Sequence, residues 1–272
     1  MRVSAEGEVG FERAFEQACG DWIRAASLAP IVACGMVGSA QGWREAAYLE
    51  VPRGLDDLGG TLTDVATASG AVLHIIPGLI ERGPLPGVMR GEETQVAGVS
   101  EGAADALICL PGTHSKWVRV QDRRIVHFDT FMTGEVFAAL SAHTILGRTM
   151  RPPGTPDLQA FDRGLQVARS PLGRAGVLST IFSTRTLGLV GALAAEAQAD
   201  YLSGLLVGHE IAALLALREG RAEPILLAGD DDLCQRYRRA LEAFDQAPAP
   251  IAAHATERGL WRVALSAGLV GC

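Results

Sequence analysis

Short apolar runs in this chain repeatedly end in a glycine-containing loop, and that repetition narrows the possible folds more than any other feature. Ile31-Val32-Ala33-Cys34 runs into Gly35, Ala71 to Ile76 into Pro77-Gly78, Ala106 to Leu110 into Pro111-Gly112, and Ile225 to Ala228 into Gly229. Runs of this length with little polar alternation suit strands buried on both faces. Helical spacing appears between them: Phe11, Phe15, Ala18, Trp22 and Ile23 mark a helix from Phe11 to Ala26. Further helices are predicted over Gly134 to Leu146, Tyr201 to Leu217 and about Leu233 to Phe244. Lys116 to Val120 and Arg124 to Phe128 alternate around Gln121-Asp122-Arg123, which predicts a hairpin. Strands alternating with helices predict an α/β protein whose ligands meet the carboxyl ends of the strands.

The chain has 272 residues, 48% hydrophobic and 20% charged, enough to bury a full core in one large domain or two ordinary ones. A formal net charge of -7 provides no general attraction to nucleic acid or to an anionic membrane. Cys19, Cys34, Cys109, Cys234 and Cys272 are scattered, which suggests neither a disulfide framework nor a zinc knuckle. The six histidines show no metal-ligand spacing, so no protein metal site is expected. Tyr201 to Leu217 is too short and, with His209 and Glu210, too polar for a membrane span. The first residues have no apolar core of the signal-peptide kind, and a reducing cytoplasm is the expected compartment. Arg148 to Pro156, with Pro152, Pro153 and Pro156, cannot continue a helix and is expected to be a surface connection.

Several of the loops carry polar groups. In Pro111-Gly112-Thr113-His114-Ser115-Lys116-Trp117, Gly112 lets backbone N–H groups approach an anion, Thr113 offers a hydroxyl and Lys116 a charge. A tight hairpin turn with Trp117 packed inward fits the same residues. Met89-Arg90-Gly91-Glu92-Glu93-Thr94-Gln95 supplies a carboxylate able to take a proton from a hydroxyl and an arginine able to pair with a carboxylate. The acidic first turn of a helix would look identical. Gly35 to Trp43 offers Ser39, Gln41 and Trp43 to a polyol, or is an ordinary connection. Gly229-Asp230 between strand and helix is an unspecific pattern. A hydrolase built on Ser115 and His114 is disfavoured, because adjacent loop residues seldom achieve nucleophile-base geometry and no nucleophile elbow surrounds Ser115.

Taken in order, Gly35 to Trp43, Pro77-Gly78-Leu79, Met89 to Gln95, Pro111 to Trp117, Met132-Thr133-Gly134-Glu135, Tyr201 to Gly208 and the Gly229 turn resemble the 2-dehydro-3-deoxygalactonokinase family. The strings Met-Arg-Gly-Glu-Glu-Thr-Gln and Pro-Gly-Thr-His-Ser-Lys-Trp-Val carry most of the likeness. The resemblance implies a two-domain actin-like ATPase fold of the ribonuclease H-like kind. Its expected domains are a sugar-acid-binding domain over 1–103 and a nucleotide-binding domain over 104–272. It also implies ATP with Mg2+, and transfer of the γ-phosphoryl group to the 6-hydroxyl of 2-dehydro-3-deoxy-D-galactonate. By the same resemblance Glu93, or its neighbour Glu92, is the base; Gly112, Thr113 and Lys116 hold phosphate; Gly229 and Asp230 hold adenosine. Ser39, Trp43 and Arg90 are candidates for the sugar acid.

The likeness departs at the start, where the family's Asp-x-Gly-Ser/Thr hairpin is not found before Phe11. The first domain is therefore expected to be incomplete at its N-terminus, with strand edges that invite a homodimer. A catalytically silent sugar-acid or nucleotide-binding protein is the alternative function.

Overall fold

The computed structural model describes residues 6–26, 28–100, 105–152, 154–218 and 220–271. Cys272, Pro153 and the expected domain boundary between residues 103 and 104 lie outside the described residues. The chain is a mixed α/β protein. It opens with α1 (Gly7–Ala25), β1 (Ile31–Ala33), β2 (Tyr48–Glu50), β3 (Arg53–Gly54), β4 (Thr63–Ala66), β5 (Val72–Ile75), β6 (Gly78–Glu81), β7 (Gly87–Met89) and α2 (Glu92–Val99). It continues through β8 (Ala106–Leu110), β9 (Ser115–Gln121), β10 (Arg124–Phe131), α3 (Thr133–His143), α4 (Leu158–Arg169), α5 (Val177–Thr180) and α6 (Ser183–Leu189). It closes with α7 (Gln198–Leu217), β11 (Ile225–Ala228), α8 (Asp231–Ala243), β12 (Ile251–Ala252) and α9 (Ala255–Ser266).

Two compact units divide the contacts: Met1–Ile108, Val118–Asp129 and Ala252–Cys272 form the first, and Cys109–Trp117 with Thr130–Ile251 the second. The chain crosses between them several times because β8, β9 and β10 each give one end to each unit. The hairpin joining β9 to β10 turns at Asp122 and Arg123, whose φ values are 48° and 58°. Positive φ at both central residues matches the right-handed twist of the strands.

In the first unit β1 pairs in parallel with β5, placing Ile31 opposite Leu73, and β4 runs antiparallel on the other side of β5. A second small sheet has the order β2-β6-β7. Trp43, Ala46, Val65, Leu73 and Ile75 form a core beneath α1, which contributes Phe11 and Phe15. Across the unit, Glu81 of β6 accepts from the Phe128 amide of β10 at 3.0 Å and pairs with His127 at 2.7 Å. The flanking Asp129 and Glu81 push the His127 imidazole up to about 9.

Helix α2 is held by α9 at a crossing that has no room for a Cβ. A methyl at Gly259 would stand 1.9 Å from the Thr94 carbonyl oxygen, and one at Gly98 would stand 2.0 Å from that of Ala255. Both contacts are backbone, so only separation of the helices relieves them. Gly259→Ala is therefore expected to destabilise the protein by about 3 kcal/mol. Urea denaturation checks this, with Gly60→Ala, where a Cβ meets nothing within 4 Å, as the near-neutral comparison.

The second unit is built around α7. This helix is long and apolar enough to cross a membrane by length and composition alone. Here it is a core helix, with Tyr201, Leu202, Leu205 and Ile211 wholly buried. It packs on α4 through glycines: a Cβ at Gly204 would lie 1.9 Å from the Phe161 carbonyl oxygen. The largest sheet has the order β12-β11-β8-β9-β10-β3, with β3 antiparallel to β10. Trp117, Tyr201, Tyr237 and Phe161 are the largest fully buried side chains of this unit.

Candidate active site

Candidate site residues fall in both units. In the first, the turn Gly91 lies against the loop after β1: a Cβ on Gly91 would come within 3.1 Å of the Gly35 Cα. Both glycines have positive φ, 109° at Gly91 and 84° at Gly35, a conformation that side chains resist. This close approach brings the start of α2 beside the Gly35 loop.

Glu92 and Glu93 occupy the first turn of α2, where free N–H groups favour negative charge. Glu93 is completely buried; its Oε2 accepts from the Gly91 amide at 2.7 Å and its Oε1 from the Thr94 hydroxyl at 3.0 Å. Burial dominates those bonds and pushes the carboxyl up to about 7. Glu92 is half-buried and folds back to accept from the Arg90 amide at 2.9 Å. The two carboxylates, indistinguishable by spacing, thus have different surroundings. Burial, followed by the negative charge of Glu93, raises the neighbouring Cys34 thiol to about 11, so it stays protonated at neutral pH.

Arg90 is nearly buried. It donates through Nη2 to the Ala46 carbonyl at 2.8 Å and lies over the Tyr48 ring, 4.2 Å from its centroid. Its Nη1 has no hydrogen-bond partner among the described residues, and neither does the buried Oγ of Ser39. Gly38, the residue before Ser39, packs against Arg90, since a Cβ there would sit 2.9 Å from Arg90 Nη1. Trp43 is part of the core of this unit. Its ring stacks on Phe11 at 6.2 Å and meets Phe15 edge-on at 5.5 Å, so it supports the loop from the core side.

In the second unit, Gly112 and Thr113 line a cleft of about 760 Å³ together with Thr133, Phe137, Ser203 and Tyr237. A cleft of this size suits a nucleotide. The start of α3 clamps the loop: the Glu135 amide donates to the Thr113 carbonyl at 3.0 Å, and Glu135 pairs with His114. A Cβ at Gly134 would lie 2.4 Å from the Gly112 carbonyl oxygen. At Gly112 itself a Cβ would meet nothing within 4 Å, which leaves its backbone open to a ligand.

Gly229, with φ 139°, runs close to Pro111, so the turn after β11 and the loop after β8 are neighbours. The Asp230 side chain caps α8, accepting from the Leu233 amide at 3.0 Å, and neither residue lines the cleft. Lys116 is buried and donates to the His114 carbonyl at 3.4 Å. Ser115 is also buried, and its hydroxyl meets that of Tyr237 at 2.8 Å while His114 pairs elsewhere, so they do not form a nucleophile-base couple. Asp200 and Arg236, unremarked in the sequence, form an ion pair of 2.6 Å at the wall of the cleft.

Among the described residues no group of three or more His, Cys, Asp or Glu is arranged to hold a metal ion. A magnesium ion carried on nucleotide phosphates needs no such cage, because it keeps phosphate and water ligands.

The chain matches the family described as 2-keto-3-deoxy-galactonokinase over residues 2–263. The probable 2-dehydro-3-deoxygalactonokinase of Rhizobium meliloti is 42% identical over 218 residues, covering 79% of this chain and 70% of that protein. The 2-dehydro-3-deoxygalactonokinase of Escherichia coli is 38% identical over 216 residues, covering 79% and 71% respectively. The crystal structure of a protein assigned as a 2-dehydro-3-deoxygalactonokinase from Sinorhizobium meliloti aligns with a TM-score of 0.82 at 36% identity. That alignment covers 96% of this chain and 88% of the other.

Proposed function

This chain belongs to the 2-keto-3-deoxy-galactonokinase family, and from that premise we propose that it transfers the γ-phosphoryl group of ATP to the 6-hydroxyl of 2-dehydro-3-deoxy-D-galactonate. The observation that carries the reading at the site is the pair of buried, unpartnered atoms Arg90 Nη1 and Ser39 Oγ, in the same unit as a carboxyl raised to about 7. A buried arginine nitrogen and a buried hydroxyl, each left without a protein partner, suit the carboxylate and hydroxyls of a sugar acid.

In this reading Glu93 is the base. Its carboxylate accepts the proton of the 6-hydroxyl as that oxygen attacks phosphorus, the bond from phosphorus to the β-bridging oxygen breaks, and ADP departs. A base whose pKa lies near the working pH is half-ionised there and still takes up a proton readily. Glu92 keeps the Arg90 backbone in place. The backbone at Gly112 and the hydroxyl of Thr113 hold the phosphates, with Lys116 and the Gly229-Asp230 turn supporting that loop from behind. Magnesium, when bound to ATP, neutralises charge on the transferring group, and most of the rate comes from positioning and charge stabilisation.

We read the architecture as the two-domain actin-like ATPase fold, with the sugar acid held by the first unit and the nucleotide by the second. The same reading makes the chain a cytoplasmic enzyme with small-molecule partners, no nucleic acid or membrane partner, and a homodimeric assembly.

The test is a coupled assay of ADP release with 2-dehydro-3-deoxy-D-galactonate and Mg-ATP, alongside calorimetric titration of each ligand. Turnover that requires both substrates is expected. Binding of either ligand without ADP release would replace the kinase by a silent binding protein.

A further inference from the structure

The phosphate-side loop is underpinned by a buried carboxylate that has no assigned role. Glu210 of α7 is buried, and its side chain accepts hydrogen bonds on both oxygens. Trp117 donates through Nε1 to Oε1 at 2.7 Å, and Tyr237 donates through its hydroxyl to Oε2 at 2.7 Å. The Thr133 and Ser115 side chains also hydrogen-bond to it. One side chain therefore gathers β9, α3 and α8 onto α7. The residues gathered flank the loop: Ser115 and Trp117 follow Thr113, while Thr133 and Tyr237 line the cleft.

A buried carboxylate served only by neutral donors is an expensive way to fill space, since an apolar side chain of similar volume avoids the desolvation penalty. Its geometric value is that both indole N–H and phenol O–H are directional, so the acceptor fixes the orientation of both rings. Ser115, at 2.8 Å from the Tyr237 hydroxyl, extends the chain to the end of the loop.

We propose that Glu210 is a positioning residue that, through Trp117, Tyr237 and Ser115, holds the Gly112-Thr113 loop in the shape that receives the nucleotide's phosphates. It acts through the loop and touches neither substrate. This rests on the reading of Gly112-Thr113 as the phosphate loop.

The experiment measures binding of ATP and of adenosine by calorimetry to the full chain and to Glu210→Gln, Trp117→Phe and Thr113→Val, with circular dichroism to verify folding. Glu210 and Trp117 do not themselves line the cleft, so each substitution reaches it only through the residues they hold. Loss of a buried hydrogen bond of this kind is expected to weaken ATP binding about tenfold. Adenosine affinity stays within about twofold, because a difference that small is under one hydrogen bond's worth. In turnover, KM for ATP rises while KM for the sugar acid does not. Should Glu210→Gln fail to fold, Trp117→Phe, which deletes one donor and keeps an aromatic ring, decides by the same ratio. If Thr113→Val selectively weakens ATP while the Glu210 and Trp117 variants weaken both ligands equally or neither, the positioning role is overturned and the phosphate loop stands. If Thr113→Val leaves the ratio of the two affinities unchanged, the phosphate-loop reading falls, and this inference with it.

Discussion

Glu93→Gln is expected to lower kcat about a thousandfold, the usual worth of a positioned base, while making the protein more stable at pH 8. The two effects have one cause. Burial holds the Glu93 carboxyl at about 7 instead of 4.5. Below 4.5 the carboxyl is neutral in both folded and unfolded chains and contributes no difference. Between 4.5 and 7 the unfolded chain ionises first, so folding stability declines as pH rises; above 7 the whole penalty is present. At about 1.4 kcal/mol per unit the gap amounts to roughly 3 kcal/mol.

Glutamine keeps the shape and remains neutral. Its oxygen can still accept from the Gly91 amide, and the Thr94 hydroxyl can turn to accept from its nitrogen. The expected gain is several degrees in Tm at pH 8, vanishing near pH 4.5. Wild-type kcat/KM should rise with pH along a limb centred near 7, and the variant's residual activity should lack that limb. Thermal melts at the two pH values and a pH-rate profile check both halves. A Glu93 that merely caps α2 would leave kcat in Glu93→Gln close to wild type, since the Gly91 bond survives.

How far the sequence reveals this site depends on how local each signal is. The strands β1, β5, β8 and β11 were legible because each is a continuous apolar run stopped by glycine or proline. Helix α7 was legible as a buried helix for a similar reason. The hairpin of β9 and β10 turns where the alternation breaks, and the helix expected to reach Leu146 stops at His143, where the Thr144 hydroxyl bonds the Leu140 carbonyl at 2.6 Å. Strands β2 and β4, three or four residues long with polar residues among them, and the three-residue β7, which opens on glycine, were not legible. No period can establish itself over that length.

The same distinction separates the site residues. The Glu92-Glu93 turn was visible as chemistry but equally visible as a helix start, and it does open α2. What made Glu93 distinct from Glu92 is burial, which depends on the Gly35 loop and on α9, far away in sequence. Glu210 looked like a polar interruption of an apolar helix, because its partner Trp117 lies 93 residues away. Trp43 looked suited to a sugar because an indole suits one; the signal that it belongs to the core was its match to Phe11 and Phe15 on the first helix.

Arg90→Met is expected to raise KM for the sugar acid about a hundredfold, the worth of a buried charge-assisted pair at 1.4 kcal/mol per factor of ten, with KM for ATP nearly unchanged. Methionine retains the apolar stem while removing the guanidinium. Two of the arginine's contacts are structural: Nη2 donates to Ala46 and the guanidinium plane lies over Tyr48. These fix the plane, and the unpartnered Nη1 is what remains for a ligand. Arg90→Lys should recover only part of the loss, because an ammonium lacks the planar fork that Ala46 and Tyr48 orient. The decisive comparison uses a substrate analogue whose carboxylate is replaced by a neutral amide. Wild-type enzyme should handle the amide about as poorly as Arg90→Met handles the acid, and combining the two changes should add little further loss. Fully additive losses would mean that the arginine and the carboxylate do not meet, leaving Arg90 as a strut for the Ala46 loop and the sugar acid's charge to another group.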